Sequence, residues 1–393
     1  MPGSSTVRVR HTRRATLAAL IVVAFAAAVP RAGDAARLAA RAFTHRAQDT
    51  SFAGLVARLS ESPGYFDSDN IITNEASYLQ VASQLAKVGT HGGAYIGVGP
   101  DQNFSYIALI RPKIAFMFDI RRDNLLEHLL FKSLFMMSRN RLEYLCLLLG
   151  KPVPPDIDAW TGRPMSAVLA YIGEAHTDSA AVAAARRASN DRIAKFGVPL
   201  DARDRSMLDR YRAQFVAEGL DTRYSSLGRN NRFDYPSFGR LIMETDRAGR
   251  LISYVADEDE FQYVRSMQLA DRIIPVVGNV AGDKALRAVA AYVSARGLRV
   301  SAFYLSNVEQ YLMTRDGGFD DYARNVKLLP HDSGSVIIRS YFGRFGMTHP
   351  LYVPSLGNIS TSMIERIDSF LHAYAAGELT TYPDLVFKRY VTP

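Results

Sequence analysis

Two stretches decide the fold class: Ala94-Tyr95-Ile96-Gly97-Val98-Gly99-Pro100-Asp101 and, a dozen residues on, Lys113-Ile114-Ala115-Phe116-Met117-Phe118-Asp119. The first reads as a short apolar strand running into a glycine turn. The second is a continuous apolar strand ended by an acid, and Phe104–Ile110 between them has the character of a short helix. Unbroken apolar runs of this kind suit strands buried on both faces of a parallel sheet. Working outward, Arg272–Asn279, Leu298–Asn307 and Ser335–Tyr341 repeat the pattern, and Asp283–Arg296 supplies a helix ended by Gly297. The alternation of strand and helix predicts an α/β fold, Rossmann-like, with a mainly parallel sheet flanked by helices.

Between the second and third strands lies a long excursion. Asp123–Leu149 reads as one apolar helix that charged residues interrupt too often for a membrane span. Residues 151–245 read as a helical insertion, with helical patterns over Ser179–Lys195 and Asp201–Glu218 and a polar, aromatic loop over Asp221–Ser237. Alternation returns at Leu251–Val255, and Asp257–Glu260 reads as a solvated helix N-terminus. Upstream, Ser62–Asn70 is a turn-rich loop, and Thr73 is placed to cap a helix over Asn74–Lys87.

The 393 residues carry 47 basic and 39 acidic side chains, a formal charge of +8. Residues 1–36 hold five arginines against Asp34, so half of that excess sits in the first tenth of the chain. There Arg8–Arg14 precedes an uncharged stretch, Ala15–Val29, and the small residues Ala26–Ala28. This is the pattern of a signal peptide or N-terminal anchor. It predicts a periplasmic or secreted protein, with residues 37–50 as linker, an α/β domain over 51–393, and membrane contact only through the N-terminal segment. The remaining +4 over 357 residues is too mild to indicate nucleic acid.

Gly97 and Gly99 leave a strand edge without side chains, where backbone can approach a ligand. Asp119 ends the next strand, where a carboxylate can accept hydrogen bonds from ribose hydroxyls. Together they predict a nucleotide-type small-molecule site. Asn307 and Glu309 follow a later strand end, on the side where α/β proteins bind ligands, and are candidates to orient a substrate or accept a proton. Turn formation by Asn307 and a helix start at Glu309 are the plainer roles for the same residues.

On these residues the chain resembles the class I S-adenosylmethionine-dependent methyltransferase superfamily. Gly97-Val98-Gly99 looks like its first motif and Asp119 like its ribose-binding acid, while Val276–Asn279 resembles the loop after its fourth strand and Ser294–Tyr304 its fifth-strand entry. The stretches Asn74–Leu79, Gly97–Tyr106, Asp119–Leu126, Val277–Asn279 and Ser306–Tyr311 are similar to an uncharacterised bacterial family of exported methyltransferase-like proteins. The resemblance implies S-adenosylmethionine as cofactor. Gly97, Gly99 and Asp119 would shape its site, Glu75 and Asp101 would flank it, and Asn279, Asn307 and Glu309 would line the substrate side. Tyr95 stands where the superfamily usually has an acid, and Asp101 where a third glycine is usual. The methionine-moiety contacts are therefore expected to be altered or supplied by Asp101 and Glu75. The alternative reading is a non-enzymatic exported module that binds another small ligand or a partner protein through the same crevice.

Other constellations point to packing. The eight histidines have no metal-ligand spacing, so no metal site is expected. Cys146 lies in an apolar run and reads as core. Arg121 and Arg122 are candidates for an anionic group or for a salt bridge to Asp123 or Glu127. The aromatic cluster Tyr224, Phe233, Tyr235 and Phe238 among Arg223, Arg229, Arg232 and Arg240 is a candidate contact for a substrate or nucleic acid, with packing the preferred reading.

Overall fold

A computed structural model describes residues 51–226, 235–314, 318–343, 347–354 and 358–393, all within one unit, Gln48–Pro393. The N-terminal segment 1–36, the linker 37–50, and Arg229, Arg232 and Phe233 lie outside the described residues. Six strands form one sheet: β1 (Ala94–Val98), β2 (Ile114–Asp119), β3 (Ile273–Val277), β4 (Val300–Ser306), β5 (Val336–Phe342) and β6 (Ser360–Arg366). Their order is β3-β2-β1-β4-β5-β6. The first five are parallel and β6 runs antiparallel to β5. The fold is thus α/β with a mostly parallel sheet, flanked by helices.

The helices, in chain order, are α1 (Phe52–Leu59), α2 (Ala82–Val88), α3 (Gln102–Ile110), α4 (Arg122–Met137), α5 (Arg141–Leu149), α6 (Met165–Glu174), α7 (Ser179–Lys195), α8 (Ala202–Glu218), α9 (Phe238–Ile242), α10 (Glu258–Leu269), α11 (Ala285–Ser294), α12 (Val308–Met313), α13 (Gly318–Val326), α14 (Ile367–Ala375) and α15 (Tyr382–Val386). Parallel strands need crossover connections, and helices supply them. Between β2 and β3, α4 packs on both strands and carries α7, α8 and α10 on its other sides. No helix among the described residues is long and apolar enough to cross a membrane. Cys146 is buried, and burial pushes its thiol up to about 12.

Three local expectations are corrected. The predicted helix over Asn74–Lys87 starts only at Tyr78, as a 3-10 turn leading into α2. The single helix Asp123–Leu149 is two, because Ser138 returns its hydroxyl to Leu134 O at 2.7 Å and Asn140 caps α5 by accepting from Glu143 N at 3.0 Å. Leu251–Val255 is a lone bridge to Thr245 followed by a turn. Strand β6 had no forecast at all. Asp257 caps α10 by accepting from Asp259 N at 2.8 Å, which leaves the acidic run at a helix start.

Strand positions also differ from the resemblance. Val276–Asn279 leaves β3, the sheet edge, not a fourth strand; Pro275, which lacks an N–H, is tolerated at such an edge. The strand after Gly297 is β4, beside β1, and not a fifth.

Candidate functional site

The strand order reverses between β1 and β4, and a crevice opens at the carboxyl ends there, where α/β sheets place ligands. It encloses about 160 Å³. Gly99, Asp119, Gly278, Asn279, Ser306 and Asn307 come to it from four strand ends, and Asn70 and Asn74 come from the loop before α2. Its walls are aromatic. Phe66 and Tyr311 meet edge to face with centroids 5.2 Å apart, as do Tyr224 and Tyr235, and Phe118 and Phe342 also line the crevice. Such a slot suits a flat ring.

Three lining residues have left-handed backbone: Gly99 at φ +83°, Asn70 at +52° and Ser306 at +55°. The last two lack glycine's freedom, and strain of this kind gathers at functional sites. At Ser306 it coincides with a register shift against β5 between Tyr304 and Ser306, a bulge that re-aims the strand end.

The two glycines have different tasks. A Cβ on Gly97 would lie 1.9 Å from Asn103 Oδ1 and 2.6 Å from the Tyr95 ring, so the space beside it is filled by protein. Gly97 is absent from the crevice lining, which corrects its expected role as a bare ligand-facing edge. Tyr95 donates its hydroxyl to Asn103 Oδ1 at 2.7 Å, and Asn103 donates to Val98 O at 2.9 Å and Pro100 O at 2.8 Å. This lock sets the turn, and Gly97 makes room for it. The sequence reading missed Asn103; its place in the first turn of α3, after two glycines, was the available signal. A Cβ on Gly99 would instead stand 3.5 Å from Asn70 Nδ2 and 3.7 Å from Gln102 Nε2.

Asp119 reaches the crevice 9% exposed. Arg121 binds it from one side. Oδ1 accepts from Arg121 N at 2.8 Å and Nε at 3.2 Å, and Oδ2 accepts from Nη2 at 3.0 Å. Arg122 pairs with Asp204 at 2.7 Å, so neither arginine takes the partners expected for it. Asn279 Oδ1 accepts from Ala281 N at 3.0 Å while the residue faces the crevice.

Three predicted residues lie behind the lining. Asp101 is buried at the start of α3, accepts from Tyr254 OH at 3.2 Å, and is pushed up to about 7 by burial. Glu309 is buried and ion-paired with Arg339, which also holds Glu365 at 2.6 Å; Tyr322 donates to Glu309 at 2.9 Å. Its expected place on the substrate side is therefore corrected: a carboxylate saturated by a buried guanidinium is structural. Glu75 is buried as well, but Ser306 and Ser340 both donate to it, and Ser306 is in the lining. Burial raises its pKa against the effect of those two donors.

Among the described residues, no group of three or more His, Cys, Asp or Glu is placed to hold a metal ion. A family model described as "Domain of unknown function (DUF7790)" matches residues 70–151 and 204–375. The chain belongs to that family. No curated protein matches it. The matched parts of this DUF7790 chain carry all six strands and most of the crevice. The unmatched stretch 152–203 holds α6 and α7, and the match resumes at Asp204, the partner of Arg122.

Proposed function

We propose that the crevice binds S-adenosylmethionine and that the chain is a methyltransferase-type α/β protein. One observation carries this reading: Gly99 and Asp119 face one crevice from the ends of adjacent parallel strands, beside the reversal in strand order. The residues fit an adenosyl group. The side of Gly99 is open where a Cβ would narrow it. Asp119 Oδ2 accepts one hydrogen bond from Arg121 and has a second lone pair for a ribose hydroxyl. The aromatic slot suits the base, with Asn279 at its edge. The reversal of strand order beside β1, in a mostly parallel sheet, supports a ligand site at these strand ends. Bound there, S-adenosylmethionine would supply an activated methyl group. The chain's own work would be to orient an acceptor against it and exclude water.

Calorimetry with S-adenosylmethionine and S-adenosylhomocysteine tests the reading. Binding of either is expected, weakened about tenfold or more by Asp119→Asn, the scale of one charge-assisted hydrogen bond. No heat with either ligand on folded protein removes it. A second reading, an exported module binding another small ligand or a partner protein, is favoured by the engagement of both Asp119 oxygens with Arg121. Fractionation of a tagged chain addresses export: an uncleaved cytoplasmic product counts against that module.

A further inference from the structure

Three buried glutamates stand around the β4–β5 end of the sheet, and they are neutralised differently. Glu309 and Glu365 share Arg339. Among the described residues, Glu75 has no ion-pair partner. Its donors are hydroxyls, those of Ser306 on β4 and Ser340 on β5, with that of Tyr304 on β4 beside them. The ionisable groups that feel it are tyrosines: Tyr95 on β1, Tyr106 on α3, Tyr304 on β4 and Tyr382 on α15. Arg339 immediately precedes Ser340 but is engaged by Glu309 and Glu365 instead. Further hydroxyls back the site: Ser340 Oγ lies 3.2 Å from Ser362 Oγ, which lies 2.9 Å from Ser77 Oγ.

A carboxyl buried without a cation is costly to ionise, and groups held in that way gather at functional sites. Here it is joined to the crevice through one residue. Ser306 donates its hydroxyl to Glu75, belongs to the crevice lining, and stands at the strained, bulged end of β4. Its lone pairs remain able to accept a proton from a bound ligand. We propose that Ser306 and Glu75 form a proton-accepting pair for a small molecule that presents a hydroxyl or an ammonium group in the crevice. The ligand's O–H or N–H bond breaks and its proton goes to Ser306 Oγ. The Ser306 hydroxyl proton goes to Glu75, whose carboxylate becomes a carboxylic acid, and the lone pair left on the ligand is the nucleophile. Ser306 ends as it began, and total charge is conserved. Ser306 is the catalytic residue and Glu75 acts through it. The chemical use of that nucleophile rests on the methyl-transfer reading; the pair itself does not.

The test has two arms on the full chain. Infrared titration follows the protonated-carboxyl carbonyl band, with Glu75→Gln identifying the contribution of Glu75. That band is expected to titrate above the ordinary carboxylate range. Its midpoint should move higher still in Ser306→Ala, because the carboxylate loses a donor. An ordinary midpoint, or one that Ser306→Ala leaves in place, overturns the pair whether or not any cofactor binds. The second arm measures transfer of labelled methyl from S-adenosylmethionine to catechol and benzylamine, probes for hydroxyl and amine acceptors. Ser306→Ala and Glu75→Gln should each lose about 100-fold, Glu75→Asp should shift the pH profile while keeping part of the rate, and S-adenosylhomocysteine binding should persist in all three. Wild-type rates in Ser306→Ala overturn the proposal, as does a fluorophosphonate adduct on Ser306, the mark of a nucleophile instead of a relay. Absence of methyl transfer and of cofactor binding in the wild type, with the Glu75 band behaving as stated, supports the pair and removes the methyl-transfer reading.

Discussion

Gly97 and Gly99 are two residues apart, and alanine substitution should separate their roles. Gly97→Ala drives a methyl into Asn103 and the Tyr95 ring, so it should cost about 1–3 kcal/mol, the usual price of overpacking. Gly99→Ala meets no atom closer than 3.5 Å but has φ +83°, so its cost is the left-handed penalty of about 1–2 kcal/mol. Its methyl also narrows the crevice, so S-adenosylhomocysteine binding should fall more than stability does. Chemical denaturation and calorimetry read the two effects; equal binding loss in both variants would show that Gly97 also faces the ligand. Asp101 gives a pH prediction with a definite sign. Its folded pKa is raised from 3.8 to about 7, so the native state binds its proton more tightly than the unfolded chain. Stability from this residue is therefore intact below pH 4 and lost as pH rises towards 7. Asp101→Asn keeps an acceptor for Tyr254 and removes the titration. Its melting temperature should equal the wild type's near pH 4, gain on it up to pH 7, and hold that gain above, by a difference on the order of 4 kcal/mol. A pH-independent difference would place the Asp101 proton elsewhere.

At the scale of elements, the sheet's far edge depends on one cation. Arg339 on β5 joins Glu309, at the start of α12, to Glu365 on β6. Arg339→Met leaves two buried carboxyls with one hydroxyl donor each, from Tyr322 and Ser369, and no cation, and should cost about 3–5 kcal/mol. The triple replacement Arg339→Met, Glu309→Leu and Glu365→Leu should regain most of it, because apolar residues of similar volume need no mutual neutralisation. Urea denaturation decides this, and a triple variant no more stable than the single one would mean that the ions also direct the β5–β6 pairing. The same edge shows why some elements were legible in the sequence and others were not. Strands β1 to β4 and the start of β5 are largely apolar runs such as Ile273–Val277, the pattern that burial on both faces imposes. Strand β6 is Ser360-Thr361-Ser362-Met363-Ile364-Glu365-Arg366, with Ser360, Thr361, Ser362 and Glu365 all buried. Its hydroxyls are satisfied by Ser77 and Ser340 and its acid by Arg339, partners that a hydropathy pattern does not contain. The crevice divides in the same way. Gly99 and Asp119 end strands, and a strand end can be read locally. Glu75 was singled out only through a resemblance, since the serine that brings it to the crevice lies 231 residues away.

At the scale of the whole molecule, the crevice is roofed by segments far apart in sequence, and their connection to the sheet is a short polar chain. Arg121, at the end of β2, pairs with Asp119 and donates to Ser68 O at 2.9 Å and Asp69 O at 2.8 Å. The Asp69 carboxylate then accepts from Ser225 N at 3.2 Å and from the Ser225 hydroxyl, beside the wall residues Tyr224 and Ser226. A bare loop of polar backbone opens locally at little cost unless such contacts hold it. Asp69→Ala removes the two side-chain bonds to Ser225 and leaves Asp69 N to Ser225 O at 3.3 Å, Ser68 Oγ to Ser225 O at 3.2 Å, the Arg121–Asp119 pair and the sheet core in place. Amide exchange should therefore accelerate about tenfold or more over residues 68–72 and 222–226, with β1, β2 and β4 unchanged; tenfold corresponds to about 1.4 kcal/mol of local stability. Ser225→Ala should give a smaller change of the same pattern, since the Ser225 N–H bond to Asp69 survives. If exchange accelerates through the sheet instead, Asp69 supports the fold at large. If it does not change, the aromatic contacts between Tyr224 and Tyr235 hold the wall, and the crevice is preformed without the link to Arg121.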